Sequence, residues 1–116
     1  MSTAGRMQIG EVAEQIGLSL RTIRYYEEVG LAVPSARSEG GFRLYVADDV
    51  ERLRVIMQMK PLGFSLEEMR ELLGLLDAGP DGDGDRLAAF REQAADRVAT
   101  LRRQLRTAEE FAARLG

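Results

Sequence analysis

The C-terminal segment, residues 86–116, constrains the fold more than any other part of the sequence. It contains no proline and no glycine before Gly116, and its apolar residues recur at steps of three and four with one slip near Ala94. A helix of about 30 residues spans roughly 45 Å, and on its own it would leave this narrow stripe in water. We predict that it pairs with the same helix of a second copy; folding back onto its own domain is the alternative. The stripe consists of Leu87, Phe90, Ala94, Val98, Leu101, Leu105, Ala108, Ala112 and Leu115.

An acidic, glycine-rich segment at 77–85 precedes this helix and predicts a linker that follows an N-terminal domain, residues 1–76. Asp81, Asp83 and Asp85, together with Glu92, match positions 1, 3, 5 and 12 of a calcium-binding loop. Arg86, however, stands where that loop needs a turn glycine, and the helical stripe begins one residue later. We therefore predict no calcium site and assign Asp85 as the N-cap of the long helix.

Two short amphipathic helices are predicted near the N-terminus. The first has apolar residues at i, i+3, i+4 and i+7 and ends at Gly17. Ser19 is a good N-cap for the second, residues 20–28, in which Leu20 and Ile23 are expected to face inward. Two such helices joined by a tight, glycine-containing turn form a helix-turn-helix. The apolar residues of the first helix are Ile9, Val12, Ala13 and Ile16.

The second helix has the side chains that a recognition helix needs. Such a helix enters the major groove and uses arginines for guanine or phosphate, a hydroxyl for phosphate, and aromatic rings against sugars and methyl groups. Arg21, Thr22, Arg24 and Tyr25 supply this set. The alternative is an amphipathic helix with solvated arginines and tyrosines that cover a core, and Tyr26 is expected to lie at least partly in the core.

A β-hairpin is predicted over residues 32–46, because turn residues at 38–41 separate two short β-compatible runs. A hairpin beside a recognition helix can act as a wing whose arginines, Arg37 and Arg43, follow DNA phosphates; a hairpin without such a role is the alternative. Residues of the second run alternate between two faces. The alternation places Phe42 and Leu44 on the packing face and Arg43 and Tyr45 on the outward face.

Two further helices complete a mainly α fold. The third is predicted at about 49–60, with Asp48 or Asp49 as its cap, and it ends before Gly63. The fourth opens with the capping box SLEE at 65–68. Its inward residues are expected to be Leu66, Met69, Leu72, Leu73 and Leu76.

Composition excludes several classes of site. The chain has no cysteine and no histidine, which removes thiolate metal sites, disulfides and the commonest general base. It also has no signal-peptide pattern and no run of about 18 apolar residues. We therefore predict a soluble cytoplasmic protein without cofactor, metal or membrane partner, and not an enzyme. A net charge of −3 is unusual for a DNA-binding domain, but locally basic faces remain available.

In combination, several motifs between Met7 and Leu76 resemble the MerR family of bacterial transcription regulators. They are TIRYYE at 22–27, GL at 30–31, GFRLY at 41–45 and LGFS at 62–65. The long helix is also similar to the antiparallel dimerisation coiled coil of that family. The resemblance implies a winged helix-turn-helix homodimer on double-stranded, pseudo-palindromic promoter DNA. It also implies distortion of the promoter spacer so that RNA polymerase can engage both promoter elements.

The resemblance also assigns roles by position. It implies DNA contacts from the recognition helix, the wing and the region of a second wing. These residues are Ser19, Arg21, Thr22, Arg24 and Tyr25, then Arg37, Arg43 and Tyr45, and finally Lys60. Pro61 departs from the family pattern and predicts a bend at the end of the third helix. The sequence contains neither the cysteines with which some family members sense metals or redox state nor the further C-terminal domain with which others bind small molecules, so it does not identify an effector. Two alternatives stay open: a naturally short regulator, or the N-terminal part of a longer one.

Two other functions share parts of this pattern. An architectural, excisionase-like DNA-binding factor can use the same winged module. A dimerisation or adaptor module without DNA binding agrees with the negative net charge. The long C-terminal helix favours the regulator, because a fixed spacing between half-sites requires a rigid dimer.

Overall fold

Residues 5–116, which a computed structural model describes, form five α-helices and one two-stranded antiparallel hairpin. The chain divides into two compact units, the first ending at Lys60 and the second spanning Pro61–Gly116. The mainly α fold with a small wing and a long C-terminal helix is confirmed. In chain order the elements are α1 (Ile9–Ile16), α2 (Leu20–Glu28), β1 (Ala36–Arg37), β2 (Arg43–Leu44), α3 (Ala47–Met59), α4 (Leu66–Ala78) and α5 (Gly84–Arg114).

The helix-turn-helix, α1 and α2, has the predicted bounds. Gly17 ends α1 with a φ of 76°, a left-handed conformation that glycine adopts without strain. Ser19 then caps α2, where its Oγ accepts a hydrogen bond from the Thr22 amide at 3.1 Å. Ile23 is fully buried, as predicted, but Leu20 is 40% exposed, so its predicted inward orientation is wrong.

The hairpin pairs Ala36 with Leu44 and Arg37 with Arg43. Its turn is closed by the Ser38 amide, which donates to the Phe42 carbonyl at 2.9 Å. These observations confirm the predicted hairpin. The predicted alternation is wrong for two residues that flank the second strand: Phe42 is 68% exposed, whereas Tyr45 is fully buried. Tyr45 lies beyond β2 and forms a separate antiparallel bridge with Met7, through backbone hydrogen bonds of 2.8 and 2.7 Å.

A buried carboxylate fixes the start of α3. Asp49 accepts hydrogen bonds from the Val46 amide at 2.9 Å, from the Ser35 amide at 3.0 Å and from the Ser35 hydroxyl at 2.5 Å. The N-cap of α3 is Val46, so the predicted cap at Asp48 or Asp49 is wrong. Regular α-helix ends at Met59 and becomes a 3₁₀ turn at Lys60–Leu62, in agreement with the predicted effect of proline.

In the second unit, α4 opens with the predicted capping box. The Ser65 amide donates to Glu68 at 2.9 Å, and the Glu68 amide donates to the Ser65 hydroxyl at 3.1 Å. Met69 and Leu73 are buried as predicted, but Leu76 is 49% exposed and does not face inward.

Asp83, not Asp85, caps α5. Its carboxylate accepts hydrogen bonds from the amides of Asp85 and Arg86 at 3.0 and 3.1 Å. Most of the predicted linker is therefore helical, because α4 continues to Ala78 and a 3₁₀ turn follows at Gly79–Asp81.

An aromatic pair joins the beginning of the second unit to α5. The rings of Phe64 and Phe90 lie edge to face, 5.7 Å apart. The Arg86 guanidinium lies 4.6 Å from the centre of the Phe90 ring and also forms an ion pair with Glu71, through its Nε and, at 2.9 Å, its Nη2. These contacts hold the first turns of α5 against α4.

Candidate nucleic-acid interface

The two sides of α2 differ sharply in exposure. Ile23 and Tyr26 are buried, with 0 and 5% of their surface exposed, and they anchor the helix in the first unit. Arg21 and Arg24 are exposed, and neither has an ion-pair partner among residues 5–116. Because an unpaired guanidinium keeps its hydrogen-bond donors available for an external anion, this side of α2 can bind phosphate or base edges.

The other predicted contact residues of the recognition helix are Ser19, which caps α2, and Thr22 and Tyr25, which lie within it. Ser19 and Thr22 share a hydrogen bond of 2.8 Å between their hydroxyls, so both side chains also serve the helix cap. Tyr25 is 43% exposed, and its ring centre lies 5.8 Å from that of the buried Tyr26. The buried ring therefore supports an aromatic side chain at the surface.

The wing is tied to α2 by an ion pair. Nε of Arg43 donates to Oε2 of Glu27 at 2.7 Å, with the Arg43 side chain 50% exposed and that of Glu27 17% exposed. The hydrogen bond, and then the negative charge of Glu27, raise the pKa of Arg43. Arg37 is exposed on the opposite strand and donates from Nη1 to the Gly41 carbonyl at 3.2 Å. Sequence analysis did not predict the ion pair of Glu27, because Glu27 and Arg43 are 16 residues apart and no local sequence pattern indicates such a pair.

A shallow cleft of about 210 Å³ lies between the start of α1, α2 and the wing. Both Arg24 and Arg43 line it, so the structure brings together two arginines that were predicted from different elements. Phe42 at the end of the turn also lines the cleft, although sequence analysis placed it in the core. The full lining is Gln8, Ile9, Arg24, Gly41, Phe42 and Arg43.

Tyr45 does not belong to this exposed surface. Its ring is fully buried, and its hydroxyl has no hydrogen-bond partner among the described residues. Burial, followed by the charge of Glu27, raises the pKa of the hydroxyl, which keeps it protonated near neutral pH. The predicted outward orientation of Tyr45 is wrong, and its buried side chain is not available for the DNA contact that the resemblance implies. Lys60 is exposed at the end of α3 but does not line the cleft.

The predicted dimerisation stripe on α5 consists of two parts. Phe90 is 97% buried against its own chain, because it packs on Phe64, and is therefore unavailable to a partner. Leu87, Ala94 and Leu101 are partly buried. The remaining part of the stripe is exposed, along with Phe111, which sequence analysis missed although it lies three residues after Ala108. The exposed residues are Val98, Leu105, Ala108, Phe111, Ala112 and Leu115.

Two other features, a metal site and a membrane-spanning helix, are absent from the described residues. Within residues 5–116, no three acidic side chains are close enough together to hold a metal ion. No helix in this range combines the length and the hydropathy needed to cross a bilayer.

Two family profiles match the chain. Residues 7–76 match the MerR HTH family regulatory proteins, and residues 50–116 match the family described as MerR, DNA binding. Together they cover the helix-turn-helix, the wing and the long helix.

Individual relatives agree with these profiles. The HTH-type transcriptional regulator HmrR of Rhizobium leguminosarum bv. viciae is 42% identical over 106 residues, which cover 90% of this chain and 78% of the relative. The structure of HiNmlR, a MerR family regulator lacking the sensor domain and bound to promoter DNA, superposes with a TM-score of 0.72 at 29% identity, covering 93% of this chain and 88% of that chain. The N-terminal part of MtaN, the Bacillus subtilis multidrug transporter activator, superposes with a TM-score of 0.64 at 33% identity, covering 94 and 97%.

Proposed function

Because the chain belongs to the MerR family of DNA-binding transcription regulators, we propose that it binds promoter DNA as a homodimer through α2 and the wing. The observation that carries this proposal is the exposed, unpaired side of α2, where Arg21 and Arg24 lie opposite the buried Ile23 and Tyr26. A solved relative bound to promoter DNA supports the choice of ligand. We place this activity in the bacterial cytoplasm.

The proposed contacts divide into two kinds. Arg21, Arg24 and Tyr25 contact base edges and sugars in the major groove, while Arg37 and Arg43 contact phosphates beside it. Phosphate contacts release counterions, so affinity falls steeply with salt despite the net charge of −3. Lys60 adds a weaker phosphate contact at the end of α3.

The dimer is proposed from the exposed stripe of α5. A second copy covers residues such as Leu105 and Leu115, which are 59 and 75% exposed in one chain, and it places a second α2 at a fixed distance. Two fixed recognition helices require two half-sites with matching spacing. By analogy with the family, the dimer bends and untwists the promoter spacer, so that RNA polymerase engages both promoter elements.

The experiment that tests this function is footprinting on the promoter upstream of the protein's own gene, with and without RNA polymerase, over a series of salt concentrations. We expect protection across the spacer together with a change in transcription. Protection of a recombination site without such a change would indicate an architectural factor. Absence of protection at every salt concentration would indicate a dimerisation or adaptor module.

A further inference from the structure

The ion pair between Glu27 and Arg43 connects the two parts of the proposed DNA-binding surface. Glu27 lies in the last turn of α2, and Arg43 begins β2 of the wing. The carboxylate is well covered, with 17% of its side chain exposed, whereas the arginine is half exposed. The Glu27 carboxylate is therefore the better fixed of the two groups, and the Arg43 side chain extends from it towards solvent.

The backbone beside Arg43 is anchored by the bridge between Tyr45 and Met7, but this contact does not fix the Arg43 side chain. Each strand of the wing has two residues, and a hairpin of this size is marginally stable on its own. Arg37 lies directly opposite Arg43 in the strand register, and like charges in that arrangement repel each other. An acceptor on another element, such as the Glu27 side chain, can instead hold the Arg43 side chain in one place.

The geometry of the pair leaves the outer end of the arginine unused. Glu27 accepts from Nε, and no other hydrogen bond to the Arg43 side chain occurs within the described part of the chain. A guanidinium has five N–H donors, so four remain on the two terminal nitrogens. Arg43 also lines the cleft together with Arg24, one of the two α2 arginines that have no ion-pair partner among residues 5–116.

We propose that Glu27 is a positioning residue for DNA binding: it holds Arg43 through Nε so that the two terminal nitrogens bind one backbone phosphate of the duplex. A bidentate arginine–phosphate contact is strong only when the planar guanidinium is presented at the correct angle. Glu27 therefore contributes to affinity although its own charge repels DNA. This inference rests on the proposed function.

The test compares four substitutions in the full chain by fluorescence anisotropy on the footprinted duplex, over a series of salt concentrations. Glu27→Ala removes the acceptor, and Glu27→Asp keeps the charge but shortens the side chain. Both are expected to weaken binding about tenfold and to lower the salt slope by about one phosphate contact. Glu27→Gln keeps an acceptor for Nε and is expected to stay within about twofold of the native protein. Glu28→Ala, the matched control, removes an exposed charge that has no hydrogen bond or ion pair with the wing within residues 5–116, and the affinity of this variant is not expected to fall.

Coupling to Arg43 gives a second measurement. Arg43→Ala is expected to lower the salt slope to the same extent, and adding Glu27→Ala to it should weaken binding no further. Circular dichroism melting is used to check that each variant is folded. If Glu27→Ala is not folded, the comparison of Glu27→Asp with Glu27→Gln tests the inference in its place.

Two results would overturn the inference. Tighter binding and a steeper salt slope in Glu27→Ala would show that Glu27 masks Arg43 instead of presenting it. Unchanged binding in Glu27→Ala and Glu27→Asp would show that the pair has no part in DNA recognition. If the native protein itself binds no promoter duplex, the proposed function fails. If the native protein binds but substitutions at position 27 have no effect, only the inference about Glu27 fails.

Discussion

Replacing Leu105 with aspartate provides the most direct test of the proposed dimer. Leu105 lies in the middle of the exposed stripe of α5 and is 59% exposed in one chain. Full burial of a leucine side chain is worth about 1.5–3 kcal/mol, so a partner that covers the exposed fraction of Leu105 gains roughly 1–2 kcal/mol per copy. Two copies lose this gain, and each new carboxylate also loses hydration. Dimerisation is therefore weakened by about 4 kcal/mol or more, at least a thousandfold in the dissociation constant.

Sedimentation velocity at micromolar concentration distinguishes the two states. We expect the native protein to sediment as a dimer and Leu105→Asp as a monomer with similar helical content by circular dichroism. Ala99→Asp is the matched control, because it introduces the same carboxylate on the side of α5 away from the stripe, where Ala99 is exposed. An intact dimer of Leu105→Asp would refute the stripe as the interface, and a monomeric native protein would support the alternative in which α5 folds back.

Three further predictions concern single sites. Arg24→Ala is expected to weaken binding to the footprinted duplex by about 1–3 kcal/mol in anisotropy titrations without changing Tm, and unaltered affinity would refute the recognition-helix assignment. Arg54→Ala is the control, because the Arg54 side chain is 44% exposed and its ion pair with Glu51, at 3.5 Å, lies within α3; neither affinity nor Tm should change. Phe90→Ala should lower the free energy of unfolding by about 3–5 kcal/mol in urea titrations, because the ring is buried against Phe64; a loss below about 1 kcal/mol would contradict that packing. The hydrogen bond from Arg86 lowers the pKa of Glu71, so this carboxylate stabilises the fold above its ordinary pKa of 4.5 and the contribution is lost as pH falls through the lowered value. As the pH is lowered below about 4.5, Tm should therefore fall less steeply in Glu71→Gln than in the native protein. Identical profiles of Tm against pH would exclude a contribution of Glu71 to stability.

Sequence patterns predicted the elements that depend on local interactions. The bounds of α2, its cap at Ser19 and the capping box at 65–68 were all predicted, and the structure confirms them. Each depends on hydrogen bonds that span three or four residues. The MerR resemblance is confirmed by the family profiles, whereas the proposed contacts of individual side chains with DNA stay predictions.

Some of the predictions that failed, though not the misplaced caps of α3 and α5, depend on partners distant in sequence. Strand alternation was wrong at Tyr45 because β2 ends at Leu44 and Tyr45 pairs instead with Met7. Phe90 fitted the repeat of the long helix, yet Phe64 of the same chain covers it. The pair formed by Glu27 and Arg43 could not be predicted from the sequence for the same reason, since no period in the sequence connects a helix to a hairpin.

The backbone bridge between Met7 and Tyr45 has a practical consequence for how the protein can be labelled. A fluorescent protein or solid support attached upstream of Met7 would be joined close to Tyr45, which follows the strand that carries Arg43. Its bulk would compete sterically with a bound duplex and lower the apparent affinity for reasons unrelated to recognition. Attachment after Gly116 joins the label to the end of α5, in the compact unit that does not contain the wing.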